Sequence, residues 1–179
     1  MRRRRGRSPS AGTGKDRGHA GPQGPAPADT TPGCAASAGE PEARIWIDGS
    51  CDTRKKASGW GAVVLLPDGT LRRAGGECGA GLSSTDIEIE AAMNALCMVG
   101  EDVPVRILTD CRALADAIEG RIDGIALAGW DNLRRRIVGR TAPVKGRWAR
   151  RNSSRHMTAA HHLANAARLV GDVVGTHEG

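Results

Sequence analysis

The chain contains no phenylalanine and no tyrosine, and only four of its 179 residues are tryptophan. Any hydrophobic core must therefore consist of aliphatic side chains with a few indole rings, and a hydrophobic content of 39% is enough for one modest core. No apolar run approaches the roughly 20 residues that are needed to cross a bilayer. We therefore expect one folded domain with an appendage and no membrane association.

Cysteine is also scarce, and the five cysteines show no C-x-x-C spacing. This pattern is typical of free thiols in a reducing compartment, where most of them serve as small apolar side chains. The N-terminus is charged but lacks the apolar segment of a secretory signal. These features predict an intracellular, cytoplasmic protein.

The net charge is +6, from 26 basic and 20 acidic residues. A basic chain suits a polyanionic partner such as a nucleic acid. Arginine greatly outnumbers lysine, however, and a GC-rich genome produces the same bias. Charge alone therefore does not identify the partner.

Residues 1–42 are of low complexity, with a run of four arginines followed mainly by glycine, proline, serine and alanine. Such a segment buries too little apolar surface to offset the entropy lost on ordering, so we predict that it is disordered. Two interpretations stay open: a nucleic-acid-binding arm, or an extension without a function, including a wrongly assigned start codon. We predict a folded domain over residues 43–172 and a C-terminal tail over residues 173–179.

Hydrophobic periodicity after residue 43 predicts an α/β domain with the element order βββαβααβα. This order implies a mixed five-stranded sheet flanked by helices. The predicted strands cover residues 44–48, 59–66, 70–78, 103–110 and 144–150. The predicted helices cover a segment capped by Ser84 or Thr85 and stopped at Gly100, then residues 113–118, 129–138 and 158–170.

Three carboxylates lie at the ends of predicted buried elements. Asp48 ends the first strand, Asp110 ends the fourth, and Glu88 lies in the first turn of the helix between them. Adjacent parallel strands end at the same sheet edge, so the three groups could meet there. Buried carboxylates are costly unless they are neutralised, and a pair of divalent ions would do this. Hard oxygen ligands favour Mg²⁺ or Mn²⁺, and such ion pairs carry out phosphodiester chemistry.

Each carboxylate taken alone has a simpler interpretation. Asp48 precedes Gly-Ser and could be a turn residue, whereas Glu88 could complement a helix dipole and Asp110 could cap a helix. Only the joint pattern, in this order and on these elements, indicates metal-dependent chemistry.

The motifs that hold these residues resemble those of type 1 ribonuclease H, over residues 43 to about 168. The resemblance rests on residues 47–50 (IDGS), 84–92 (STDIEIEAA), 108–111 (LTDC) and 160–167 (AHHLANAA). It implies a ribonuclease H-like fold and a monomeric, Mg²⁺-dependent endonuclease that cleaves the RNA strand of RNA–DNA hybrids with two metal ions. By position Asp48, Glu88 and Asp110 are the implied catalytic residues and metal ligands, with Glu90 as a competitor of Glu88.

The chain departs from the family at the fourth acidic position, where His161 replaces the usual aspartate. A neutral imidazole can bind a metal, so we expect His161 to be catalytic and a metal ligand, with weaker affinity and Mn²⁺ as an alternative ion. The other interpretation is a histidine that is tolerated at a vacant ligand position. The mobile loop histidine of the family falls near Asn152, and His156 could replace it or simply be a solvated loop residue.

The basic helical handle of many relatives is missing between Asp110 and Trp130. We therefore expect other residues to contact the hybrid. These are Lys55, Lys56, Arg150 and Arg151 for phosphates, and Ser84 and Thr85, beside Ser83, for the RNA 2′-hydroxyls that distinguish RNA from DNA. Two alternative functions stay open: a weakly active or non-catalytic hybrid-binding module, and a DNA-directed nuclease of the same fold.

Overall fold

The computed structural model describes residues 41–122 and 129–170, together with the backbone of residues 173–176. Its strands are β1 (Ala43–Asp52), β2 (Ala57–Leu65), β3 (Leu71–Cys78), β4 (Val105–Thr109), β5 (Val144–Trp148) and β6 (Val173–Thr176). Its helices are α1 (Ser84–Leu96), α2 (Arg112–Ile118), α3 (Trp130–Val138) and α4 (Arg155–Val170). The prediction for residues 1–40 lies outside the described residues.

The strands form one mixed sheet in the order β5-β4-β1-β2-β3-β6. β1, β2 and β3 form an antiparallel meander, whereas β4 runs parallel to β1 and β5 runs parallel to β4. The five predicted strands and the predicted order of elements are therefore confirmed. In the described part of the chain no helix is both long and apolar enough to cross a bilayer.

The sixth strand corrects one sequence-based boundary. Residues 173–176 were assigned to a C-terminal tail, but β6 pairs antiparallel with β3 over residues 72–75. A segment of four residues is too short for periodicity to separate a strand from a tail. The five predicted strands correspond to β1–β5, and β6 adds a sixth strand beside β3.

Helix α1 begins at Ser84, whereas the sequence predicts Ser84 or Thr85 as the capping residue before the helix. Ser83 is the N-cap: its hydroxyl accepts from the Asp86 N–H, and the Asp86 carboxylate accepts from the Ser83 N–H. This reciprocal capping box satisfies two of the N–H groups that a helix start leaves free. The helix ends at Leu96 rather than at Gly100. The capping box fixes the first two turns of α1, where Glu88 lies.

Side chains of β1 alternate between two hydrophobic cores. Ile45 and Ile47 pack on the face of the sheet that α1 covers, whereas Trp46 packs on the opposite face with Met157 of α4. By the same alternation Asp48 lies on the face of Trp46 and α4. The largest fully buried side chains are aliphatic, namely isoleucine, leucine, valine and methionine, as the lack of phenylalanine and tyrosine predicted.

Helix α4 lies unusually close to the sheet because β2 presents glycines to it. A Cβ atom on Gly61 would overlap the Ala160 carbonyl oxygen and would lie 2.5 Å from the Ala164 nitrogen. A Cβ atom on Gly59 would lie 2.5 Å from the Arg168 nitrogen. Only glycine allows this close approach, which sets the distance between β1 and the side chains of α4.

We predict that Gly61→Ala destabilises the protein by about 2–3 kcal/mol, because the added methyl group meets backbone atoms that cannot move independently. Urea denaturation followed by circular dichroism measures this change. Gly79→Ala is the matched control, since a Cβ atom there has no neighbour within 4 Å. Equal stabilities of the two variants would contradict the packing argument.

Candidate active site

The three predicted carboxylates meet at one edge of the sheet. Parallel pairing of β1 with β4 ends at Trp46 and Leu108, so Asp48 and Asp110 each lie two residues beyond the last pair. One carboxylate oxygen from each of Asp48, Glu88 and Asp110 lies within 4.8 Å of the others. Asp48 is inside a strand and not at its end, because β1 continues to Asp52 through its pairing with β2.

Glu88 is fixed by hydrogen bonds from both strands. Its Oε1 accepts from the Gly49 N–H at 3.0 Å, and its Oε2 accepts from the Thr109 hydroxyl at 3.0 Å. Glu88 is only 4% exposed, whereas Glu90 is exposed and contacts Asn94 on its own helix. The geometry therefore places Glu88, and not Glu90, in the carboxylate cluster. Sequence reasoning did not identify Thr109 as the residue that holds Glu88.

Burial and mutual repulsion make full ionisation of this cluster unfavourable. Burial, with further contributions from Asp48 and Asp110, raises the pKa of Glu88 to about 8. Burial also raises the pKa of Asp48, against the opposing effects of His161 and Arg151. Positive charge beside these oxygens would reduce the repulsion and favour the ionised carboxylates.

Arg151 supplies one such cation. Its Nε donates to Asp110 Oδ2 at 2.7 Å and lies 3.4 Å from Asp48 Oδ1. Burial alone would lower the pKa of Arg151, but the attraction of Asp48, Asp110 and Glu88 outweighs burial and raises it. The residue predicted to contact nucleic acid therefore lies inside the carboxylate cluster.

His161 contacts Asp48 from α4. Its Nδ1 lies 2.8 Å from Asp48 Oδ2, and its Nε2 lies 3.0 Å from the Asn165 amide nitrogen. The Ser50 hydroxyl donates to Asn165 Oδ1 at 2.7 Å. If the Asn165 amide donates to Nε2, the neutral imidazole carries its proton on Nδ1 and donates to Asp48. Asn165 was missed in the sequence, although its spacing of four residues from His161 places both on one helix face.

The residues present fit a bound divalent ion. Asp48 Oδ1 is buried and accepts no hydrogen bond within the described part of the chain; its ion pair with Arg151 is long. A buried carboxylate oxygen without a donor is costly and is satisfied by a metal ion. The ligand oxygens of the cluster are also hard donors of the type that Mg²⁺ prefers.

The remaining predicted residues lie outside this cluster. Lys55, Lys56, Ser84 and Arg150 are exposed, and Thr85 is half-buried. Lys55 and Lys56 occupy the turn between β1 and β2, whereas Ser84 and Thr85 begin α1.

His156 stacks on Trp46 with ring centroids 4.3 Å apart. Burial, aided by Arg155 and Arg73, lowers its pKa. His156 therefore has a packing role in the first turn of α4, and the interpretation of a solvated loop histidine is wrong.

A mixed sheet with three carboxylates at one edge is typical of metal-dependent α/β proteins. Comparison with known proteins identifies the family. The model of the RNase H family matches residues 40–165. Ribonuclease H of Parvibaculum lavamentivorans is 32% identical over 100 residues, which are 56% of this chain and 65% of the relative. Ribonuclease HI of Caulobacter vibrioides is 30% identical over 90 residues, which are 50% of this chain and 59% of the relative.

Solved structures show the same fold. LC11-RNase H1, solved in complex with an RNA/DNA hybrid, superposes with a TM-score of 0.60 at 17% identity. The superposition covers 71% of the present chain and 96% of the LC11-RNase H1 chain. RNase H1 of Halobacterium salinarum superposes with a TM-score of 0.54 at 18% identity. This match covers 70% of the present chain and 96% of the Halobacterium chain. The chain belongs to the RNase H family, as its motifs predicted. It spans less than two thirds of the length of the curated relatives named above.

We predict that Glu88 makes the metal-free protein less stable as the pH rises. Between the unfolded pKa of 4.5 and the folded pKa of about 8, the folded state keeps a proton that the unfolded chain has lost. The free energy of unfolding therefore falls between these pH values. Glu88→Gln removes this difference in bound protons between the folded and unfolded states. The substitution should therefore lessen the decline in the free energy of unfolding by about 1 kcal/mol or more.

Urea denaturation in EDTA at several pH values between 5 and about 8 measures this slope. Glu90→Gln is the matched control, since it removes the same charge from an exposed position of the same helix. A decline as steep in Glu88→Gln as in the parent protein would disprove the assignment to Glu88.

Proposed function

We propose that this protein is an endoribonuclease that hydrolyses the RNA strand of RNA–DNA hybrids. The observation that carries this proposal is the convergence of Asp48, Glu88 and Asp110 in a chain of the RNase H family, with an Asp48 oxygen that accepts no hydrogen bond from the described residues. The names of the curated relatives and the hybrid-bound structural neighbour support the same activity. A monomeric state and a cytoplasmic location stay predictions from the sequence.

Asp48, Glu88 and Asp110 are the proposed ligands of Mg²⁺, with Mn²⁺ as the alternative. The Gly49 N–H and the Thr109 hydroxyl hold the Glu88 carboxylate in one orientation, and thereby fix the spacing of the cluster. Bound ions of this kind supply Lewis acidity that activates water and stabilises charge at the scissile phosphate. The contribution of the protein is a rigid, largely buried set of oxygen ligands.

His161 is the proposed fourth catalytic group and metal ligand. Both of its ring nitrogens have partners: Nδ1 contacts Asp48 and Nε2 contacts Asn165. Ligation through Nε2 would require Asn165 to release the imidazole, whereas the contact with Asp48 supports an effect on that carboxylate without any rearrangement. In the arrangement that the structure shows, the hydrogen bonds through Asn165 and Ser50 hold the imidazole ring beside Asp48.

The proposed hybrid-binding surface uses exposed residues around the cluster. Lys55, Lys56, Arg150 and Arg151 would contact phosphates, where Coulombic attraction needs no fixed geometry. Ser84 and Thr85 lie in the first turn of α1, close in sequence to Glu88, and their hydroxyls can recognise RNA 2′-hydroxyls.

We predict that Asp110→Asn reduces cleavage of a labelled RNA–DNA hybrid by about three orders of magnitude, since one of three charged ligands is lost. Hybrid affinity measured in EDTA should change little, because three of the four proposed phosphate contacts, Lys55, Lys56 and Arg150, form no ion pair with Asp110. The assay includes a DNA duplex and an RNA duplex, each with Mg²⁺ or Mn²⁺. Cleavage of the DNA duplex, or binding of the hybrid without cleavage by the parent protein, would refute the proposed activity.

A second prediction concerns His161. His161→Asp adds a carboxylate and should lower the Mg²⁺ concentration for half-maximal cleavage, whereas His161→Ala should reduce the cleavage rate by about 10-fold or more. Titration of Mg²⁺ and Mn²⁺ against the initial cleavage rate measures both effects. Equal activity of the parent protein and both variants would remove His161 from the mechanism.

A further inference from the structure

The guanidinium of Arg151 lies between two of the three clustered carboxylates. Its Nε is 2.7 Å from Asp110 Oδ2 and 3.4 Å from Asp48 Oδ1. Asp48 is fully buried, and this same oxygen accepts no hydrogen bond within the described part of the chain. Arg151 thus neutralises the oxygens that are best suited to a divalent ion.

The loop that carries Arg151 is fixed at its base. The Ala149 N–H donates to the Thr109 carbonyl at 2.9 Å, and the Trp148 indole N–H donates to the Asp110 carbonyl at 3.1 Å. These bonds attach the loop to the strand that precedes Asp110. The position of the Arg151 backbone relative to Asp110 is therefore set by the sheet.

The side chain itself is less constrained. Its relative exposure is 49%, against 0% for Asp48 and 19% for Asp110. The Arg151 backbone lies inside a turn that is closed by a bond from the Ser153 N–H to the Arg150 carbonyl. A long, half-exposed arginine side chain can turn into solvent while its backbone stays in place.

We propose that Arg151 is a positioning residue that holds Asp48 and Asp110 together when no divalent ion is bound, and that it competes with the ion for these carboxylates. This inference rests on the proposed function, because it requires the cluster to be a metal site. The guanidinium and a divalent ion are both attracted to the same oxygens, and their like charges repel at such distances. An ion therefore binds only when Arg151 leaves, and its apparent affinity is reduced by that competition.

Arg151 differs from Arg150 in its contact with the carboxylate cluster. Arg150 carries the same charge but is exposed, and the structure gives it no ion pair with the cluster. Glutamine in place of either arginine removes one positive charge from the same loop, so a general charge effect would follow both substitutions. Direct competition concerns Arg151 alone.

Calorimetric titration of Mn²⁺ into the full-length chain, without nucleic acid, tests the proposal. We expect Arg151→Gln to bind Mn²⁺ about tenfold more tightly than the parent protein, which corresponds to about 1.4 kcal/mol. The control Arg150→Gln should bind within about twofold of the parent protein, because a screened surface charge contributes little. Asp110→Asn should bind markedly more weakly.

The outcomes distinguish this inference from the proposed function. Absence of Mn²⁺ binding in the parent protein and in Arg151→Gln would refute the metal site, and with it both proposals. Equal or weaker binding by Arg151→Gln would refute the competition and leave the proposed function intact. An equal gain in Arg150→Gln would show a general charge effect and would also refute it.

Thermal unfolding gives a second readout. In EDTA, Arg151→Gln should melt about 2–4 °C below the parent protein, because Asp48 and Asp110 lose their counter-charge. With saturating Mn²⁺ the difference should disappear, since the ion then neutralises both carboxylates. A difference that persists in Mn²⁺ would indicate a purely structural role for Arg151 and would overturn the proposal.

Discussion

Repulsion among three carboxylates is the interaction on which the rest of this structure depends. Asp48, Glu88 and Asp110 place oxygens within 4.8 Å of one another, and Asp48 and Glu88 are almost completely buried. Such a cluster destabilises a folded chain unless donors and positive charge surround it. The neighbouring polar contacts supply part of that compensation, whereas burial, together with Asp48 and Asp110, still raises the pKa of Glu88.

The compensation comes from elements that are distant in sequence. The β1 backbone at Gly49 and the Thr109 hydroxyl hold Glu88, whereas α4 and the loop before it bring His161 and Arg151 to Asp48. The approach of α4 requires the glycines of β2, because any side chain there would hold the helix away from the sheet. The geometry of the site therefore depends on packing that involves no catalytic group.

Much of this was readable from the sequence. Alternating apolar residues predicted β1, a continuous apolar run closed by a turn predicted β2 with β3 as its hairpin partner, and the order of carboxylate motifs predicted that Asp48, Glu88 and Asp110 share a site. The sequence could not predict that β1 continues to Asp52, since this depends on pairing with β2. It also could not distinguish β6 from a tail, because four residues carry too little periodicity.

The sequence by itself determined the identity and order of the acidic groups and the aliphatic composition of the core. Only the tertiary structure decided which charged groups face one another. It selected Glu88 over Glu90, joined Asn165 to His161, and placed the Arg151 side chain against Asp110 in the carboxylate cluster. The physical reason is that local periodicity sets which face a side chain occupies, whereas electrostatic partners are set by contacts between segments separated by up to 116 positions.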